Sequence, residues 1–370
     1  MHFSLARAPF LVAVTSAHGV VDRRPAVPVL SHVLLEAAGD QITLRATDLD
    51  HAFVARIPAA VDIPGTAIVL AQTLYDALRK VNNDNTVHLS IDEEGKTLVL
   101  KAGRSRFSLT LLKDVDFPEE GAFAAGTTFS LPSSTLRLLL DKTRFAISTE
   151  ETRYALNGVY LHTSSEGDAL CAVATDGHRM AVVSVPFSAP APFSLILARK
   201  TVVETLKLLE KEEGECTVSL SAAQIRLDFG DRVLTGRLVE GEFPKYARAV
   251  PERSESFFDI NRRAFIEGVD RISVISSEEI VRVVRLKLCD NLLQLSSVRH
   301  EFGAAEEELD VVCPSAISWE AGFNGRYLGD AAEHVDGETV RVYLTDALAP
   351  IRLESPEKEN ISFVVMPMRV

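Results

Sequence analysis

Three well-separated stretches of the chain place apolar residues at the i, i+3/i+4, i+7 spacing of a half-buried helix. Over 72–81 the apolar face is Leu74, Ala77, Leu78 and Val81. Over 198–211 it is Val202, Leu206 and Leu209, and over 324–335 it is Leu328, Ala331, Ala332 and Val335. Each predicted helix leads into alternation of apolar and polar positions: Val87, Leu89 and Ile91; Val218 and Leu220; Val340, Val342 and Leu344. Period two marks a strand with one buried face. Upstream of each such unit a strand and a further helix are expected, the helices over 7–18, 133–147 and 261–275. The first carries Pro9 in its opening turn, where a missing N–H is tolerated.

The recurrence goes beyond a shared pattern. Ile42-Thr43-Leu44-Arg45-Ala46-Thr47-Asp48, running on to Val54-Ala55-Arg56-Ile57-Pro58, matches Leu170-Cys171-Ala172-Val173-Ala174-Thr175-Asp176, running on to Val182-Val183-Ser184-Val185-Pro186. Asp116-Phe117-Pro118 closes the first copy and Glu242-Phe243-Pro244 the second. Agreement in order, spacing and end signals at about a third of the chain implies triplication. The expected fold class is α+β: three tandem domains over 1–122, 127–250 and 255–370, with six helices and three sets of short, mostly antiparallel strands.

With 46% hydrophobic and 25% charged residues over 370 positions, the chain has the balance of a soluble globular protein of two or three domains. Nothing approaches the ~20 uninterrupted apolar residues of a membrane span. Met1-His2-Phe3-Ser4-Leu5 lacks the basic lead, apolar run and cleavage site of a signal peptide, and reads as the first strand. Cys171, Cys216, Cys289 and Cys313 form no CxxC or Cys/His pairing. They are expected to be reduced, buried, small apolar residues of a cytoplasmic protein, with no metal and no cofactor.

A net charge of −13 speaks against a nucleic-acid grip by counterion release. Its distribution changes the picture. The six predicted helices together carry about +6, leaving about −19 for the rest of the chain. Such positives can be plain solvated helix faces, or one electropositive wall opposite an acidic one.

No GxxxxGK[ST], GxGxxG after a strand, GxSxG or HExxH is present. Thr175-Asp176-Gly177-His178-Arg179 brings a carboxylate and an imidazole together. However, Thr47-Asp48 repeats its first two residues, which favours a hydrogen-bonding device at a strand end over catalysis. Asp48 with Asp50 fares no better as an acid/base pair. Gly177-His178-Arg179-Met180 has no counterpart in the first copy. Apart from Met1 the methionines are Met180, Met366 and Met368, concentrated in that segment and at the terminus. They suggest a soft apolar pocket for a peptide.

Several motifs resemble the bacterial DNA polymerase III β subunit family, the replicative sliding clamps. They are Val364-Val365-Met366-Pro367-Met368-Arg369, Ala174-Thr175-Asp176-Gly177-His178-Arg179, Gly103-Arg104-Ser105-Arg106-Phe107-Ser108-Leu109, Arg153-Tyr154-Ala155-Leu156-Asn157-Gly158 and Arg23-Arg24-Pro25-Ala26-Val27-Pro28-Val29-Leu30. The resemblance runs the length of the chain. It implies a head-to-tail homodimeric ring, with helices lining the hole around double-stranded DNA and sheets outside. Such a clamp is not an enzyme and tethers the replicative polymerase, clamp loader and repair proteins. It also implies a partner-peptide pocket of Leu156, Thr175, Gly177, His178, Arg179, Met180, Pro244, Arg248, Leu348 and Val364, Val365, Met366, Pro367, Met368 and Arg369. Ala249 and Pro350 are departures within it. DNA contacts carry over onto Arg24, Tyr154, Arg199 and Lys200, with Arg79 and Arg137 beside them, and Glu150 replaces a common neutral amide. The ring interface maps to Arg104, Arg106, Phe107 and Leu109 at one end and Val274, Ile275, Glu306 and Glu307 at the other, with Glu308 a departure. The alternatives are a clamp-like paralogue with a non-replicative role and a hydrolase centred on Asp176 and His178.

Overall fold

The same order of elements recurs three times along the chain. The structure, a computed structural model, describes residues 1–22, 24–82, 86–119, 121–210, 212–274, 283–299, 303–315 and 317–368. The first copy runs β1 (His2–Ala6), α1 (Arg7–Val20), β2 (His32–Ala38), β3 (Gln41–Thr47), β4 (His51–Pro58), β5 (Ala60–Ile63), β6 (Gly65–Leu70), α2 (Ala71–Lys80), β7 (Thr86–Ile91), β8 (Thr97–Ala102) and β9 (Ser105–Thr110). The middle copy runs β10 (Thr127–Pro132), α3 (Ser133–Asp141), β11 (Gly158–Thr163), β12 (Ala169–Thr175), β13 (Arg179–Pro186), β14 (Ser194–Ala198), α4 (Arg199–Leu209), β15 (Glu215–Leu220), β16 (Gln224–Asp228) and β17 (Arg232–Arg237). The third runs β18 (Phe257–Asn261), α5 (Arg262–Ser273), β19 (Val283–Cys289), β20 (Leu292–Arg299), β21 (Gly303–Asp310), β22 (Ser318–Asn324), α6 (Gly325–His334), β23 (Thr339–Tyr343), β24 (Ile351–Ser355) and β25 (Lys358–Val365). Only β5 has no counterpart in the later copies.

Two compact units divide the chain differently from the repeat, because the middle copy gives strands to both. The first unit, Met1–Arg137 with Lys200–Leu238, holds a five-stranded sheet in the order β5-β1-β7-β8-β9. It also holds an eight-stranded one in the order β10-β15-β16-β17-β4-β3-β2-β6. The second unit, Leu138–Arg199 with Val239–Val370, holds β14-β11-β12-β13-β25-β24-β23-β18 and β21-β20-β19-β22. Within each eight-stranded sheet two copies meet along one antiparallel pair. β17 joins β4 with Gly236 opposite His51, and β25 joins β13 with Val365 opposite Arg179. His51 and Arg179 hold the same place in their copies, so both seams share one register. The strands equivalent to these in the outer copies, β9 and β21, each end a sheet.

Alternation puts Phe3, Phe53, Leu35, Ile42 and Leu44 wholly inside the first unit, beneath Phe10, Ala13, Val14 and Ala17 of α1. Phe258, Phe265, Phe323 and Phe363 do the same in the second. Each such side chain contributes about 1.5–3 kcal/mol by leaving water. Among the described residues, no helix is long and apolar enough to cross a membrane.

Three expectations are corrected. The helix expected over 133–147 stops at Asp141, and Arg144–Ala146 forms a separate 3-10 turn. The buried Thr143 hydroxyl donates to the Leu139 carbonyl at 2.7 Å, while its amide turns to the Leu140 carbonyl at 3.3 Å in the tighter i−3 pattern. On α4 the core position expected for Leu206 belongs to Leu208, with Leu206 only half-buried. The buried face includes Thr201 and Thr205, and Thr205 hides its hydroxyl on the Thr201 carbonyl at 2.7 Å. Among the cysteines only Cys216 is buried; its thiol is pushed up to about 12 by burial. Cys289 is exposed at the last position of β19.

Candidate functional site

The turn between β12 and β13 is made by a polar device that recurs between β3 and β4. Thr175 Oγ1 donates to the Arg179 carbonyl at 2.7 Å and accepts from the Gly177 amide at 3.1 Å. Asp176 Oδ1 accepts from the amides of His178 and Arg179 at 2.9 and 3.0 Å. Between β3 and β4, Thr47 Oγ1 donates to the His51 carbonyl at 2.7 Å and accepts from Leu49 at 3.0 Å. Asp48 Oδ1 accepts from Asp50 and His51 at 3.1 and 2.6 Å. The device forces the third residue to a positive φ, +88° at Gly177 and +80° at Leu49. Glycine takes this at no steric cost; a leucine does not. Asp176 is committed to backbone amides and to Arg179, and the His178 ring lies against Tyr327 with centroids 6.2 Å apart.

Beyond this turn the two seams diverge chemically while keeping one backbone bond. At the first seam the Arg237 amide donates to the Asp50 carbonyl at 2.9 Å, and the two side chains pair at 3.5 Å. At the second the Met366 amide donates to the His178 carbonyl, also at 2.9 Å. An exposed methionine therefore stands where the first seam has a salt bridge. The Met368 amide then donates to the Gly322 carbonyl at 2.8 Å, which ties the terminal segment along β22.

Next to this segment Met180, Val173, Ile196, Phe243 and Val364 form a buried apolar cluster, with Leu156, Tyr160 and Tyr246 packed against it. The expected pocket residues Leu156, Met180 and Val364 thus come together, and Val365 lies wholly inside β25. Pro244, Arg248, Ala249 and Leu348 are exposed and stand outside that cluster, and Pro367 and Met368 are half-buried. Arg369 lies outside the described residues.

Reading the sequence missed the aromatic floor. Tyr160 stacks on Phe243 at 4.8 Å, and Tyr246 meets both edge-on. Burial pushes the Tyr246 phenol up to about 12, so it stays neutral while bonded to His162 Nε2 at 2.9 Å. Phe243 was visible only as part of a closing turn.

Arg179 belongs to the frame of this site. Its side chain is 10% exposed, bonded through Nε to Asp176 Oδ2 at 3.0 Å and through Nη1 to Asp330. The guanidinium lies 4.5 Å from the Tyr327 ring centroid and 5.3 Å from that of Phe145. It locks the β12–β13 turn of the middle copy to α6 of the third. At the first seam His51 pairs with Asp48 at 3.1 Å and reaches Thr201 Oγ1 at 3.1 Å, and Lys200 Nζ donates to Asp48 Oδ2 at 2.7 Å. Burial alone would raise the Asp48 carboxyl. The hydrogen bonds from His51 and Lys200 outweigh it and hold the group well below the usual carboxylate range.

An exposed methionine beside one seam, a salt bridge at the other, and a threefold sheet-and-helix repeat are now in hand, and comparison decides what they belong to. DNA polymerase III beta subunit descriptions match the chain in three consecutive parts: the N-terminal domain at 1–120, the central domain at 130–245 and the C-terminal domain at 247–369. The chain belongs to the DNA polymerase III beta subunit family. It is 37% identical over 374 residues to the beta sliding clamp of Caulobacter vibrioides and 33% over 372 residues to that of Escherichia coli K12, with every chain fully covered. Among solved structures it resembles the sliding clamps of Bartonella birtlesii (37% identity) and Pseudomonas aeruginosa (35%), both bound to griselimycin. Each superposes with a TM-score of 0.92 over the full length of both chains. By sequence and fold it is a sliding clamp throughout, and the hydrolase reading is not favoured.

The remaining residues carried over from the family are placed as follows. Arg24, Arg79, Arg137, Tyr154 and Arg199 are exposed. Arg79 lies along its own helix over Tyr75, and Arg137 donates to the Glu210 carbonyl at 2.7 Å. Lys200 is spent on Asp48 and on the Val20 carbonyl, so it serves the seam. The positive wall suggested by the charge count is thinner than counted. Lys142 is paired with Asp336, Lys207 with Glu204 and Arg263 with Glu267, while Arg7 is buried against the Leu78 carbonyl. On the sheet edges, Arg104, Arg106 and Glu306 are exposed, Phe107 is half-buried and Leu109 buried. Val274 is 65% exposed at the end of α5, and Ile275 lies outside the described residues. Glu307 is held by Arg271 at 2.6 and 3.0 Å, whereas Glu306 and Glu308 point to solvent on the other face of β21.

Proposed function

We propose that two copies of this chain close head to tail into a ring around duplex DNA and serve as a non-catalytic, cytoplasmic tether for the replicative polymerase, clamp loader and repair proteins. The observation that carries the reading is the pair of unsatisfied sheet edges. Two of three equivalent seams form within the chain, β17 with β4 and β25 with β13. The third would pair β9 with β21, and each of these ends a sheet. Open edges normally carry features that prevent pairing. Here Arg104 and Arg106 at one edge face a partner edge bearing Glu306 and Glu308, with Phe107 and Val274 as apolar contacts. A heterologous interface of this kind closes by rotation, and two copies of three domains give six. A ring holds DNA by topology, so a chain of net charge −13 needs no strong grip.

The segment Met366–Met368, with exposed Met366 beside the buried Met180 and Val364 cluster, is proposed to receive a short linear peptide of a partner through its apolar anchors. The domain limits 1–122, 127–250 and 255–370 are proposed as the three ring segments. A charge swap at the edge tests the assembly by sizing. Arg104→Glu with Arg106→Glu should give monomers, and mixing that variant with Glu306→Arg/Glu308→Arg should restore a dimer. Dimers of the first variant alone, at wild-type strength, would overturn the pairing of these edges.

A further inference from the structure

A cavity of about 460 Å³ opens in the second unit, and four arginines from four elements line it. Arg144 comes from the 3-10 turn after α3, Arg179 from the start of β13, Arg199 from the first position of α4 and Arg326 from the first turn of α6. Arg179 is consumed by Asp176 and Asp330. The other three are available in different degrees. Arg144 is 52% exposed and bonded to Asp141 at 3.1 Å, and Arg326 is 74% exposed and meets Asp330 only at 3.8 Å. Among the described residues no carboxylate lies within ion-pair distance of Arg199. Ser148, Thr149 and Tyr327 add hydroxyls to the lining.

We infer that Arg144, Arg199 and Arg326 form a station for backbone phosphates of nucleic acid. The inference rests on the sliding-clamp reading and adds two residues, Arg144 and Arg326, to those that reading expects at DNA. Exposed guanidiniums on the rim of a polar recess suit a diester phosphate that is contacted and released; fork geometry matches its oxygens. The lining comes from helix starts and from the segment joining α3 to β11. It shares only the Asp176–Arg179 turn with the proposed peptide site and nothing of the Met180–Val364 cluster, which favours nucleic acid over an acidic peptide. Carboxylates interspersed in the lining keep each contact weak, which a sliding contact requires.

The test compares the intact wild-type protein with Arg144→Gln/Arg326→Gln, and with Arg199→Gln as a second variant. Anisotropy of a labelled primed-template oligonucleotide is read between 50 and 200 mM salt. Arg45→Gln/Lys96→Gln, which removes two exposed cations elsewhere, is the control. Loss of two phosphate contacts should flatten the log–log salt slope by about 2, so that wild type loses about tenfold more affinity than the variant over that range. Arg199→Gln should flatten it by about 1. A wild-type slope in the variants, or an equal change in the control, overturns the station. So does an unchanged slope accompanied by weaker binding of an acidic partner peptide, which would give the cavity to the peptide. Wild-type protein that is not retained on closed circular DNA would instead indict the clamp reading itself.

Discussion

Arg179→Ala removes a cation that two carboxylates share. The arginine is 10% exposed, Asp176 16% and Asp330 30%, so solvent screens the pair with Asp176 little and that with Asp330 more. Removing one partner of a buried ion pair costs about 3–5 kcal/mol, and partial exposure of Asp330 argues for the lower end. Loss of the contacts with Tyr327 and Phe145 adds about 0.5–1 kcal/mol. The expected cost is thus about 3–4 kcal/mol, against the roughly 5–15 kcal/mol that holds a typical domain. It should concentrate at the β13–β25 seam, because Asp176 also fixes the turn amides.

Native-state hydrogen exchange of β13 and β25 amides reads this directly. Arg179→Ala should lower their opening free energy by about 3 kcal/mol, and Asp330→Asn by about 1–2. The double variant should fall little below Arg179→Ala. Lysine should not rescue, since one ammonium cannot bridge both carboxylates while lying on two rings. A loss under about 0.5 kcal/mol, or strictly additive effects of the two single changes, would refute the view of Arg179 as the lock of this seam.

At the paired turns, Leu49→Gly should stabilise by about 0.5–1 kcal/mol, because the left-handed strain on leucine exceeds the extra chain entropy of glycine; denaturant titration checks it. Gly177→Ala should do the opposite, its Cβ arriving 2.8 Å from Arg153 Nη1 and displacing that side chain. Asp48 has a folded pKa depressed below its unfolded value near 3.9, so its stabilisation is full above that pH and is lost as pH falls toward the folded value. Wild type should therefore lose its advantage over Asp48→Asn below about pH 4 in urea titrations, and a constant gap across pH 3–7 would contradict the linkage. Truncation before Met366 should leave the sizing profile unchanged and abolish binding of a labelled partner peptide.

Much of this was legible in the chain. Helical and strand periods located α2, α4 and α6 and the strands that follow them, and the Thr47-Asp48 and Thr175-Asp176 match foretold a shared hydrogen-bonding turn. Contacts that join copies were not legible. Lys200 meets Asp48 across 152 positions and Arg179 meets Asp330 across 151. No local pattern marks either pair, and the resemblance assigned Arg179 to the peptide pocket and Lys200 to DNA rather than to contacts between copies. The early end of α3 escaped for a related reason: the Thr143 hydroxyl takes the Leu139 carbonyl and its amide turns to Leu140, which apolar spacing cannot register. The proposed peptide site was legible only through its departures from the repeat. Its aromatic floor was not, because Tyr160, Phe243 and Tyr246 are distant in sequence and converge only when β11 lies beside the segment after β17.

The central claim is that a dimer of this chain holds DNA by enclosing it. Loaded protein should stay on a nicked closed circle through gel filtration in high salt and leave the same DNA within the run once it is linearised. Equal loss from circle and linear form, or equal retention on both, would contradict enclosure.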